Sequence, residues 1–199
     1  IIRFVIISLA TIKLRWLQSK GLIVVTISGS YAKTSTKHIL FHALKKQLRT
    51  YATPKSVNTP LGIANLILHE MPSDTQLFIV ETGEYNPHDI LPMLQFVKPK
   101  YGIMTPIGRQ HLERMGSMQT LIETIGGLVQ YAEKNPIPTL IWHSNLELLN
   151  QKSLPNLQQS YGETNQADYH VTDVTVSRRG TEGFIIVPDA QKIKIFTPL

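Results

Sequence analysis

The 199-residue chain has no cysteine. That absence excludes disulfides and thiolate metal sites and fits a reducing compartment, so a cytoplasmic protein is expected. Long hydrophobic runs are also missing. Residues Ile1 to Ala10 are apolar apart from Arg3 and Ser8, and Lys13, Arg15 and Lys20 follow. A transmembrane helix needs about 20 apolar residues. A small-residue cleavage site is lacking as well, which disfavours a signal peptide. Neither a G-x-S-x-G turn nor a Ser–His–Asp order is present to support nucleophilic hydrolysis. Aromatic residues make up only 8% and are not interleaved with the cations. No nucleic-acid recognition motif accompanies the basic charge, so no nucleic-acid partner is expected. Internal repeats and low-complexity tracts are absent.

What remains is ordinary globular composition: 42% hydrophobic and 17% charged residues, with a formal net charge of +6. The length suits one good-sized domain, or one domain and the start of another. Much of the positive charge lies in Lys33, Lys37, Lys45, Lys46, Arg49 and Lys55, read as a solvated helix face near an anionic ligand. The chain opens on Ile and stops at Phe196-Thr-Pro-Leu199, which reads as part of a longer protein. Residues 1–20 are read first as a helix leading into the domain and second as a membrane-proximal segment.

The most informative stretch is Val25-Thr-Ile-Ser-Gly-Ser-Tyr-Ala-Lys-Thr-Ser-Thr-Lys37. A β-branched segment, Leu22–Ile27, ends in a Gly/Ser turn, and Lys33-Thr34 open an amphipathic run. This is the layout of a phosphate-binding loop. Backbone N–H groups and a helix N-terminus face one hollow, a lysine neutralises β/γ oxygens, and a hydroxyl holds Mg²⁺. Short loops of this type read G-x-x-G-K-[TS], and Ala32 stands at the second glycine. If that position requires φ > 0, alanine costs on the order of 1 kcal/mol there. The plainer alternative is a strand–turn–helix with a chance Lys-Thr pair.

Leu22–Ile27, Leu77–Val80, Tyr101–Met104 and Thr139–Trp142 read as buried strands. Between them lie helical patterns at Thr36–Leu48, Leu61–Glu70, His88–Val97 and Met118–Ala132. The first of these places Ile39, Leu40, Ala43, Leu44 and Leu48 on one face. Strands alternating with helices give an α/β fold, a mostly parallel sheet flanked by helices. In such sheets ligand groups gather at the carboxyl ends of the strands, where Ser28–Lys33, Glu81 and Thr105–His111 fall. From about residue 149 the texture changes: Gln151–Gln166 is polar and turn-rich, and Tyr169–Val176, Gly183–Val187 and Lys192–Phe196 read as a small antiparallel β appendage over 149–199.

Glu81 closes a strand and is followed by Thr82-Gly83-Glu84; a carboxylate there, opposite a phosphate loop, can bind Mg²⁺ directly or through water. His111 follows the turn Thr105-Pro-Ile-Gly108 and could ligate a metal or touch phosphate. Both residues have the plainer reading of unspecialised loop side chains. Thr53-Pro-Lys-Ser-Val-Asn-Thr-Pro-Leu-Gly62 is a polar, proline-punctuated loop that reads as a substrate contact.

From about Leu22 to Leu199 these segments resemble the central, ATP-binding domain of the Mur ligase family. The carriers are Ile27–Lys37, Ser56-Val-Asn-Thr-Pro-Leu-Gly-Ile63, Val80-Glu-Thr-Gly-Glu84 and Thr105-Pro-Ile-Gly-Arg-Gln-His-Leu-Glu-Arg-Met-Gly-Ser117. The last segment and the Asn58-Thr-Pro-Leu-Gly loop resemble the branch that adds D-alanyl-D-alanine (MurF) more than the folylpolyglutamate branch. The resemblance implies a domain over 21–199 that takes ATP and Mg²⁺, flanked in the family by an N-terminal UDP-sugar domain and a C-terminal domain that this sequence does not show. It implies an ATP site on Gly29, Ser30, Tyr31, Ala32, Lys33, Thr34 and Ser35. Lys33, Glu81 and His111 would serve catalysis; Thr34 and Glu81 would hold one Mg²⁺ and His111 a second. Asn58 and Thr59 would line the substrate side. The implied enzyme is an amide ligase of peptidoglycan precursor synthesis, taking a UDP-MurNAc-peptide and D-Ala-D-Ala through an acyl phosphate and acting as a monomer.

Four departures sit on the nucleotide and metal side. Ala32 replaces a glycine, and Pro106 replaces the family's asparagine. Ile125 aligns with its carbamylated lysine, and His143-Ser-Asn145-Leu146 keeps little of a polar N-x-D-D segment. They support a second reading: a diverged, non-catalytic relative that keeps the fold as a nucleotide-binding or scaffold protein.

Overall fold

The computed structural model describes residues 2–110, 112–150 and 157–198. They divide into two compact units, Ile1–Thr139 and Leu140–Leu199.

In the first unit, β1 (Ile23–Ser28), β2 (Thr50–Ala52), β3 (Leu77–Glu81) and β4 (Tyr101–Met104) form a parallel sheet in the order β2-β3-β1-β4. Both faces of this sheet are covered, which is why its strands read as continuous apolar runs. On one face α1 (Ile2–Ser19) places Ala10, Leu14 and Leu17 against Val24, Phe78 and Val80. It packs there with α3 (Pro60–Asn65) and α4 (Ile90–Val97). On the other face α2 (Lys33–Leu44) covers Val25, Ile27, Leu77 and Ile79 with Leu40, Phe41 and Leu44. The register Ile27↔Glu81 and Ser28↔Met104 brings the carboxyl ends of three strands together. Among the described residues no helix is long and apolar enough to cross a membrane.

The α2 face differs from the amphipathic reading. Ile39 is 70% exposed and Ala43 is exposed, while the inward stripe begins with Lys33 and Lys37 and continues through Leu40 and Leu44. Two inward lysines, counted as polar in the sequence, rotate the buried face. Other boundaries shift for local reasons. The Leu61–Glu70 helix ends as α3, and a wider turn follows over Leu66–Glu70, closed by Met71 N–H donating to the Leu66 carbonyl at 2.8 Å. At His88 the backbone is left-handed (φ 65) and its N–H donates to Thr124 Oγ1, so α4 starts at Ile90. After the short α5 (Leu112–Met115), the long Met118–Ala132 pattern splits at Gly126 into α6 (Met118–Ile125) and α7 (Gly127–Lys134). A side chain at Gly127 would meet the Leu91 nitrogen at 3.3 Å, so the glycine lets α7 approach α4 closely.

β5 (Thr139–Trp142) and α8 (Asn145–Leu148) lead to β6 (Gln158–Gly162), β7 (Tyr169–Ser177), β8 (Gly180–Ile186) and β9 (Lys192–Pro198). β7, β8 and β9 are antiparallel, but β6 joins β7 in parallel through Tyr161↔Tyr169. β6 falls in a stretch read as turns because its inward residues are Gln158, Ser160 and Gly162, an alternation without apolar side chains. Asp168 fixes it, accepting from Ser160 N–H at 2.6 Å and Ser160 Oγ at 2.8 Å. Trp142 meets the Tyr161 ring edge-on at 5.2 Å, and burial pushes the Tyr161 phenol up to about 12.

Candidate active site

The turn after β1 is shaped by close backbone packing. Gly29 has φ 130, and a Cβ there would lie 2.2 Å from Thr105 Oγ1 and 2.6 Å from the Thr105 carbonyl oxygen. Thr105 N–H donates to Ser28 O at 2.8 Å. The Pro106 carbonyl accepts from both Ser30 N–H (3.0 Å) and Tyr31 N–H (3.1 Å), and Ser30 Oγ donates to Gly108 O at 3.1 Å. Two of the loop amides expected to face a ligand are thus spent on holding the segment after β4. A side chain at Gly108 would overlap the Tyr31 ring at 2.0 Å.

Ala32 sits at the N-terminus of α2 with φ 62 and ψ 7. The position therefore requires the left-handed backbone that glycine adopts freely, and alanine costs on the order of 1 kcal/mol there. The first-turn N–H groups of a helix have no intrahelical acceptor. Here that turn, Ala32 to Ser35, lines a cleft of about 360 Å³. Glu81, Glu84, Asn58, Tyr85 and Gln110 line the same cleft.

Two buried ion pairs stand side by side at its floor. Lys33 Nζ lies 2.7 Å from Glu84 Oε1 and also donates to the Gly29 carbonyl. Lys37 Nζ lies 2.8 Å from Glu81 Oε2 and donates to the Lys55 carbonyl at 2.6 Å. Thr34 Oγ1 donates to the Glu81 carboxylate, 3.0 Å from Oε2 and 3.2 Å from Oε1. On the far wall, Asn58 Oδ1 accepts from Tyr85 OH at 2.8 Å, and the Asn58 carbonyl accepts from Gly83 N–H at 3.0 Å. The Arg114 guanidinium lies 5.8 Å from the centre of the Tyr85 ring.

The donor set fits a hard divalent cation. Thr34 and Glu81 present adjacent oxygens on the cleft lining, and among the described residues no group of three or more His, Cys, Asp or Glu is placed to hold a metal ion. A cation at Thr34 and Glu81 would thus have few protein ligands. Mg²⁺ is commonly held this way, by one or two protein groups with phosphates and water completing the octahedron.

Of the residues singled out in the sequence, Ser30 to Ser35, Asn58 and Glu81 meet in this cleft. Gly29 shapes the turn beneath it. Thr59 instead caps α3, accepting from Gly62 N–H at 3.2 Å, and is exposed. His111 lies outside the described residues. Ile125 is fully buried in α6. Glu84, Tyr85 and Gln110 carried no assigned role in the sequence, and Lys33 and Lys37, read there as part of a solvated helix face, are buried because Glu84 and Glu81 pair with them. The signal for Lys37 was its spacing four residues after Lys33, which puts both on one helix face.

Known proteins share this fold. The Mur ligase middle domain model matches residues 27–199. The UDP-N-acetylmuramoyl-tripeptide--D-alanyl-D-alanine ligase of Bacillus subtilis strain 168 is 27% identical over 166 residues, 83% of this chain and 35% of that protein. The ligase of the same name from Mycobacterium leprae is 30% identical over 130 residues, 65% of this chain and 23% of that protein. The crystal structure of the MurF ligase from Thermotoga maritima, in complex with ADP, has the same fold: TM-score 0.84 at 22% identity, covering 98% of this chain and 44% of that one. The chain thus spans about a third or less of the length of these curated relatives. With the family model matched across nearly all of the sequence beyond α1, the chain belongs to the Mur ligase middle-domain family.

Proposed function

We propose that this chain is the nucleotide-binding part of an ATP-dependent ligase that joins D-Ala-D-Ala to a UDP-MurNAc-peptide in peptidoglycan precursor synthesis. The observation that carries the reading is the Thr34 hydroxyl, at the N-terminus of α2, 3.0 Å from the Glu81 carboxylate at the end of β3, with Lys33 lining the same cleft. The substrates are those named for the relatives in B. subtilis and M. leprae.

The reaction must bring two anions together. A substrate carboxylate oxygen attacks the γ-phosphorus and ADP leaves; the incoming amine then attacks the acyl carbon, phosphate leaves, and the amine gives up a proton. Lys33 and the first-turn N–H groups of α2 take the negative charge of the phosphates. Thr34 and Glu81 would hold Mg²⁺, which would offset the negative charge of the phosphates. With its carbonyl oxygen taken by Tyr85, Asn58 offers N–H donors, the polarity a substrate carboxylate requires. His111, by resemblance, would hold a second cation near the acyl phosphate.

The complete protein, given ATP, Mg²⁺, UDP-MurNAc-tripeptide and D-Ala-D-Ala, is expected to release ADP only when both substrates are present. These 199 residues alone should bind nucleotide without forming the amide, because ligation depends on excluding water from the acyl phosphate. Ile125 favours a second reading, a non-catalytic scaffold, since a buried isoleucine offers no metal ligand. Absence of substrate-dependent ADP release from the complete protein would establish that reading.

ATP as co-substrate and the lack of cysteine support a cytoplasmic enzyme. We also place α1 near an anionic lipid surface. Ile2, Val5, Leu9, Ile12 and Trp16 are exposed on the face opposite its buried residues. The charge is complementary too: Arg3 and Lys20 are exposed, and residues 1–69 hold no aspartate or glutamate. Sedimentation with anionic vesicles should carry the protein down, and Ile12→Glu should reduce that. Equal recovery with and without vesicles would end the assignment.

A further inference from the structure

We propose that Lys37 is a positioning residue that links the cation-binding corner of the cleft to the loop on its substrate side, and that its charge makes the corner accept a cation with its phosphates in preference to a bare one. The second half rests on the nucleotide reading above; the first stands on the fold alone.

Lys37 is 0% exposed and heads the largest fully buried side chains among the described residues. Its ammonium has two partners, Glu81 Oε2 at 2.8 Å and the Lys55 carbonyl at 2.6 Å. Lys55 lies in the loop between β2 and α3 and has a left-handed backbone (φ 48). That loop is otherwise tied to β3 and its continuation. Thr53 N–H donates to Ile79 O at 3.0 Å, Thr53 Oγ1 accepts from Glu81 N–H at 3.3 Å, and the Asn58 carbonyl accepts from Gly83 N–H. Lys37 adds a tie to α2, the helix that bears Lys33 and Thr34. One ammonium therefore touches the carboxylate expected to meet the cation and the backbone three residues before Asn58.

A volume-filling role does not call for a charge. Replacing a buried ion pair by apolar residues of similar size is often neutral or stabilising. Keeping the ammonium has a distinct electrostatic consequence. Glu81 is already neutralised in the nucleotide-free cleft, so a bare divalent cation meets a carboxylate whose charge is shared with Lys37. A triphosphate brings its own negative charge and removes that conflict.

The test uses the complete protein with free Mn²⁺ as probe, followed by electron paramagnetic resonance, and amide hydrogen exchange over residues 53–59 and Gly83. Lys37→Met should tighten free Mn²⁺ binding by roughly ten- to thirtyfold, the effect of removing one positive charge about 4–6 Å from a doubly charged ion even at water-like screening. The same variant should speed exchange at Val57 and Gly83 about tenfold. Lys37→Arg, which keeps the charge, should hold Mn²⁺ affinity near that of wild type. If Lys37→Met does not fold, Lys37→Gln supplies the neutral comparison. Unchanged or weaker Mn²⁺ binding in the neutral variant overturns the charge role, and unchanged exchange overturns the loop role. Failure of the wild type to bind a Mg²⁺–ATP analogue would instead remove the nucleotide reading, while the exchange result would still decide the loop link.

Discussion

Lys33→Ala is expected to weaken binding of a non-hydrolysable ATP analogue by roughly 10- to 150-fold, the loss of a charge-assisted contact of about 1.5–3 kcal/mol. Calorimetry in the presence of Mg²⁺ measures it. The substitution has a second consequence, because Glu84 lies 2.7 Å from the ammonium and its side chain is 1% exposed. A buried carboxylate stripped of its cation costs about 3–5 kcal/mol of stability, so a lower melting temperature will accompany the lost affinity. Lys33→Ala combined with Glu84→Gln separates the two effects. Stability should largely return with the neutral amide, whereas affinity should not. If affinity returned along with stability, Lys33 would be a structural residue and not a phosphate ligand. Equal affinity in Lys33→Ala and wild type would remove the phosphate-loop assignment altogether.

Much of this site was legible in the sequence because a parallel sheet buried on both faces leaves a plain record. Leu77 to Val80 and Tyr101 to Met104 are unbroken apolar runs, and both were found as strands, the first extended by Glu81. The chemistry then falls where such strands end. Ala32 was readable for a different reason: its left-handed backbone follows from the geometry of a tight turn entering a helix, whatever residue occupies it. The family resemblance, resting on four segments in order, agrees with the matched family model.

What escaped the sequence was what depends on distant partners. The inward face of α2 could not be read from hydropathy, because the residues that turn it are lysines whose counter-charges come from Glu81 and Glu84, more than forty residues away. β2 has only three residues, too few for any periodicity. β6 hides its alternation behind glutamine, serine and glycine. The local role of Thr59, capping the helix that begins at Pro60, was implied by a hydroxyl before a proline at the first helical position but went unread beside its substrate-side assignment.

Glu81 carries the second large expected effect, and its two roles can be told apart by two substitutions. Glu81→Ala removes the partner of Lys37, a side chain with no solvent exposure. An ammonium left in the interior without its carboxylate is expected to destabilise the fold by about 3–5 kcal/mol, seen as a lower midpoint in chemical denaturation. Glu81→Gln keeps an oxygen that can accept from Lys37 and from Thr34, so it should lose much less stability. Both variants lack the negative charge that a hard divalent cation requires of its protein ligand. Nucleotide binding by Glu81→Gln should therefore lose most of its dependence on Mg²⁺, while the folded state remains intact. The measurement is analogue affinity across a Mg²⁺ titration, set beside the denaturation midpoint for each variant. A Glu81→Gln protein that binds the Mg²⁺–nucleotide complex with the wild-type metal dependence would show that Glu81 serves the fold through Lys37 alone, and that the cation is held elsewhere in the cleft.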